Sequence, residues 1–202
     1  MATNKELFLK GTKHLFYIHI ATLIVSLLIE FPIIGSVFGW VNIILSIGIA
    51  FLLFQMAPVN DRYRKAALCM AVASGATIIT KFADSDILTL AASICSLITV
   101  YQEYKGHSEM MKGVDYKLAD KWHGLFYWQI LGGFLLGILG TPILILLGLV
   151  VVIDANLLAG VLVIIVLCFD IIMEILYLRY MKRMHEIYKH YEPVMNGYKE
   201  FI

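Results

Sequence analysis

Apolar residues in this chain come in long runs rather than in the alternation of a half-buried strand, and charged or turn-forming clusters separate the runs. A bilayer's hydrocarbon core, about 30 Å thick, is crossed by about 20 apolar residues in a helix that rises about 1.5 Å per residue. Six stretches approach that requirement: residues 14–34, 37–57, 66–80, 87–101, 122–152 and 157–177. The breaks have local reasons. Pro32 followed by Gly35-Ser36 reverses the chain after the first span, Pro58-Val59-Asn60-Asp61 turns it after the second, and residues 81–86 and Asp154-Ala155-Asn156 close the third and fifth. The predicted fold is therefore all-α and integral to a membrane, a single polytopic domain over residues 1–202 with six transmembrane helices arranged as three hairpins. Between spans four and five, Met110, Met111, Val114 and Leu118 recur at helical spacing opposite Glu109, Lys112, Lys117 and Asp120, which predicts a short amphipathic helix. A second stripe, Tyr180, Met184, Ile187, Tyr188 and Tyr191, predicts a cytoplasmic extension of span six.

Composition agrees with the pattern. The 202 residues are 60% hydrophobic and 15% charged, with a mean hydropathy of +0.83, outside the range of ordinary soluble domains. A net charge of +1 and the absence of charge-rich tracts argue against disorder and against nucleic acid as a partner. Cys69, Cys95 and Cys168 all fall inside spans, where they read as small buried hydrophobes rather than as disulfide partners or metal ligands. The first apolar run contains Glu30 and has no Ala-x-Ala site after it, so it reads as a retained span rather than a signal peptide.

Charge also orients the chain. Lys and Arg are retained in cytoplasmic loops. With six spans and both termini cytoplasmic, 15 of the 16 Lys and Arg residues fall inside and Lys81 alone falls outside. This predicts a prokaryotic plasma (inner) membrane protein with the bilayer as its first partner. An internal echo, Leu15-Phe16-Tyr17-x-x-Ile20 against Leu125-Phe126-Tyr127-x-x-Ile130, relates spans one and five at an offset of 110, which Pro32 and Pro142 share. Ala67, Ala71 and Gly75, Ala92 and Ser96, and Gly133 and Gly137 follow the small-xxx-small spacing that lets helices approach closely.

Ionisable groups inside a membrane are costly, by about 2.5–3.5 kcal/mol on insertion scales, and so mark candidate sites. Asp170, taken as buried in span six, leads. Glu174 follows on the same helix face, and His19, its repeat equivalent Gln129, and Gln55 are placed at a similar depth. Together the five predict a substrate or ion pathway opening toward the cytoplasm. No catalytic motif is present: neither a nucleophile elbow, a His-Glu-x-x-His, a phosphate loop nor a metal-holding acidic cluster occurs. No catalytic or metal residues are assigned, no cofactor is specified, and His107, His123, His185 and His190 read as solvated. The sequence thus predicts a transport or permeation component binding a cation, proton or small polar solute near Asp170. The alternative is a non-catalytic membrane subunit or scaffold that docks a partner through its amphipathic cytoplasmic segments. A homo-oligomer, or a partner subunit carrying an ATPase, fits the size and topology by analogy alone.

Overall fold

In the computed structural model, residues 4–29, 35–134, 142 and 155–191 are described, and all regular structure among them is helical. Six helices follow in order: α1 (Asn4–Ile29), α2 (Gly35–Gln55), α3 (Asp61–Thr80), α4 (Asp86–Lys112), α5 (Tyr116–Phe134) and α6 (Ala155–His190). Four segments are long and apolar enough to cross a membrane: Asn4–Ile29, Val37–Gln55, Asp86–Lys112 and Gly160–His190. Expectations that fall on Glu30, Pro32, Gly137, Gly140, Asp154 and the far half of the fifth span lie outside the described residues.

The turns are capped by the residues that stand there. The side chain of Asn60 accepts from the Arg62 N–H at 2.9 Å, Ser85 from Leu88 at 3.4 Å and Asp115 from Leu118 at 3.0 Å, satisfying N–H groups that have no partner within their helices. The last of these caps corrects an expectation. There is no separate amphipathic helix between the fourth and fifth elements. The α4 helix runs on to Lys112, the chain turns at residues 113–115, and α5 starts at Tyr116. Gly113 caps the end of α4, and Met111 and Leu118 from the predicted amphipathic stripe are buried in the core.

Each helix packs against its neighbours in sequence, and α6 returns to α1, so the bundle closes as a ring. Its buried core collects at one end, formed by the first half of α1, the end of α2, the start of α3, the last part of α4, the start of α5 and the second half of α6. That end also carries most of the Lys and Arg residues. Helix α1 begins ten residues before the predicted span, because Phe8, Gly11, Thr12 and Leu15 form a buried face between Lys5, Lys10 and Lys13. That face meets α6: the Phe8 and Tyr188 rings are 4.4 Å apart, and Lys5 Nζ donates to the Tyr191 carbonyl at 2.6 Å. The stripe expected to lie free on headgroups or on another subunit thus covers the start of this chain's own first helix.

The 110-residue echo has a structural counterpart. Leu15 and Leu125 are both buried, and Tyr17 and Tyr127 are both exposed, at 59% and 58%. The small-residue seams fall elsewhere than expected. Ala71 and Ser96 are exposed, and a Cβ on Gly75 or Gly133 would meet nothing. The close approaches are instead Gly11 against Met56, Gly48 against Ile18, Gly106 against Tyr63 and Gly132 against Phe169.

Candidate functional site

Two acids, two histidines and four aromatic rings converge where the second half of α6 meets α1, α3, α4 and α5. Glu103 lies at the centre. It is 3% exposed, and its Oε1 accepts from the Tyr177 hydroxyl at 2.5 Å. Two imidazoles face the same oxygen, His107 Nε2 at 3.6 Å and His19 Nε2 at 3.8 Å. Their opposite ring nitrogens are engaged. His107 Nδ1 is 2.8 Å from the Tyr63 hydroxyl, and His19 Nδ1 is 2.9 Å from Glu174 Oε1. Trp122 packs on His107, on Tyr104 and on Tyr177, which fixes the rings around the carboxylate.

Helix spacing brings these groups together. Thr99, Glu103, His107 and Met111 recur every fourth residue on α4 and are all buried, so one stripe of that helix faces the ring's interior. On α6, Met173, Tyr177, Met181 and Met184 do the same. The His19 and His107 Nε2 atoms and the Trp122 Nε1 atom are buried and make no hydrogen bond. An unsatisfied buried polar atom costs about 1–3 kcal/mol, so three beside one carboxylate are a costly feature.

Beside this cluster lies a cavity of about 310 Å³ between α1, α4, α5 and α6, whose wall includes Thr22, Ser26, Tyr104, Gln129, Asp170 and Glu174. Among the described residues, no Lys or Arg lines it. Glu174 therefore belongs to both features, touching the cavity and holding His19. Gln129 presents a buried Oε1 with no hydrogen-bond partner. Asp170 forms no hydrogen bond or ion pair among the described residues.

Of the five residues singled out from sequence, the fold brings His19 and Glu174 into contact and places Asp170, Glu174 and Gln129 on one cavity. It does not bring in Gln55, which is exposed at the end of α2. Asp170 is not the buried acid it was taken for, since it is exposed along the cavity wall. The buried acid is Glu103, and His107, expected to be solvated, is fully buried. Both were missed because they lie past the end of the apolar run. The available signal was a Glu-x-x-x-His pair that continues the α4 stripe begun by Thr99. No group of three or more His, Cys, Asp or Glu residues able to hold a metal ion occurs among the described residues.

The fold and site define an all-helical protein with several apolar helices, of the kind found in membranes. No protein-family model, curated protein or solved structure matches the chain.

Proposed function

We propose that the protein is a transport or permeation component that binds a small organic cation bearing N–H donors in the cavity between α1, α4, α5 and α6. One observation carries this reading: two carboxylates, Asp170 and Glu174, line a cavity without any Lys or Arg. A cation entering it gains Coulombic attraction in a medium of low dielectric. The unpaired Gln129 oxygen supplies an acceptor for an N–H, and the Tyr104 ring on the wall supplies a face that attracts positive charge. The setting in this reading is a prokaryotic inner membrane crossed six times, with the basic end of the ring and both termini in the cytoplasm. The charge asymmetry of the loops supports that orientation. The scaffold alternative has less support, because Met111, Leu118, Met184 and Tyr188, drawn from its two docking stripes, pack within the chain.

Guanidinium, which is permanently charged and carries only N–H donors, is a suitable probe. Purified protein reconstituted in liposomes is expected to take up labelled guanidinium above protein-free liposomes. Asp170→Asn should lower that uptake about tenfold or more, the equivalent of about 1.4 kcal/mol of lost binding. Because Asp170 lies outside the core, the thermal midpoint should stay near that of the parent. Uptake equal to that of protein-free liposomes would sink the reading.

A further inference from the structure

We infer that His19 carries a proton between Glu174 on the cavity wall and Glu103 in the core, so that occupation of the cavity by a cation is coupled to a proton shift. This rests on the cation reading for its ligand, but the geometry stands by itself. His19 is the imidazole, among the described residues, that stands between the two acids, facing Glu174 through Nδ1 at 2.9 Å and Glu103 through Nε2 at 3.8 Å. Imidazole takes a proton on one ring nitrogen while releasing one from the other.

The step balances. In the first form of the relay the proton shared between Glu174 and His19 Nδ1 is on the carboxyl, while His19 Nε2 carries the second proton and faces Glu103. The Glu174 proton passes to Nδ1 as the Nε2 proton passes to Glu103 Oε1. Glu174 becomes the carboxylate, Glu103 becomes neutral, the ring ends as the other tautomer, and the net charge is unchanged. A cation beside Glu174 favours its carboxylate and drives the step forward. The distance to Glu103, too long for a hydrogen bond, closes by a small rotation of the ring, whose Nε2 has no competing partner.

The surroundings fit a receiving acid. Facing Glu103 are His19 from α1, Tyr63 from α3, Tyr104 and His107 from its own helix, and Tyr177 from α6, while Glu174 lies on the far side of the His19 ring. The α2 helix holds no titratable residue, and α5 contributes the Trp122 ring. No Lys or Arg is paired with Glu103 among the described residues, so the positive charges able to answer it are the two imidazoles. The Tyr63 hydroxyl engages His107 Nδ1 at 2.8 Å, which leaves Nε2 as the ring nitrogen that faces Glu103.

The test reads the tautomer of His19 by nitrogen NMR of the full-length, ¹⁵N-histidine-labelled protein in lipid nanodiscs, with His19→Gln identifying its signals. Without ligand, Glu103→Gln should change the ratio of the two tautomers about tenfold or more toward the Nδ1–H form, one pK unit of interaction being tenfold in population. Tyr177→Phe, which keeps the ring but removes the hydroxyl that stabilises the Glu103 carboxylate, should make Glu103 the better proton acceptor, move the ratio toward Nδ1–H as well, and serve where Glu103→Gln fails to fold. Saturating guanidinium should drive the parent protein toward Nδ1–H and leave Glu103→Gln unmoved. A ratio unchanged by both substitutions overturns the relay, as does guanidinium binding that leaves the parent's ratio untouched. If guanidinium gives no binding heat, the cation reading fails alone, and the ligand-free ratios still decide the relay.

Discussion

The two ends of the ring solve different problems. At the basic end, Phe8, Tyr63, Trp122, Tyr177 and Met181 are buried to 2% exposure or less and interlock through rings and sulfur atoms. At the other end Val37, Phe82, Ile87 and Leu157 are more than 60% exposed, although they are just as apolar. Burial between helices gains free energy where the alternative is water. Where the alternative is hydrocarbon, the same side chains gain little from one another, and the interior among the described residues there is made of smaller side chains such as Val25, Ala73 and Ala76. The difference teaches that the ring is held at its basic end and that the candidate site is built there because that is where positions are fixed.

The sharpest way to break the comparison is to truncate one large side chain at each end. Trp122→Ala should cost about 3–5 kcal/mol, because it empties the middle of the aromatic cluster, whereas Ile87→Ala should change stability by about 0.5 kcal/mol or less. Denaturation in detergent, followed by circular dichroism, checks both; equal losses would show that the ends are equally packed. A finer contrast uses glycines. Gly11→Ala drives a Cβ into the Met56 side chain across the α1–α2 contact and should cost about 1–3 kcal/mol. Gly160→Ala meets nothing within 4 Å and should gain about 0.5–1 kcal/mol by restricting the unfolded chain. The smallest effect concerns an exposed pair at the basic end. Lys65, by its hydrogen bond at 3.0 Å, holds the Asp61 carboxyl below its usual range, and Arg64 at 2.6 Å adds to it. A depressed carboxyl stabilises the fold above its unfolded pKa, and that contribution is lost as pH falls through the lowered folded value. Thermal midpoints of Asp61→Asn and the parent should therefore differ slightly at neutral pH and converge in acid.

Much of the architecture was legible because hydrophobic runs and turn formers are local signals. The breaks at Pro58 and at residues 81–86, and the pairing of His19 with Glu174 in one region, follow from run length and helix phase. What could not be read was the continuation of helices beyond the apolar runs. Lys5, Lys10 and Lys13 hide the buried face of Phe8, Gly11 and Thr12, and Lys105 and Lys112 flank the buried pair Glu103 and His107. A hydropathy average weighs such stretches as loops, whereas burial there is set by partners distant in sequence, namely Tyr188 for Phe8 and Tyr177 for Glu103. The burial of Asp170 could not be read for the converse reason: an acid inside an apolar run need not point into the core, and this one stands exposed on the cavity wall.

Closure of the ring through α1 and α6 has a consequence for biogenesis. Helix α1 leaves the ribosome well before α6, yet Phe8 and Lys5 meet their partners Tyr188 and Tyr191 only after the four helices between have been made. Contacts so far apart in sequence form late and slowly. His19 must likewise wait for Glu174. During synthesis the earlier helices are a half-built enclosure with an imidazole and a carboxylate uncovered, a state on which chaperones and proteases can act. Docking of α6 on α1 is then the event that closes the enclosure around these groups.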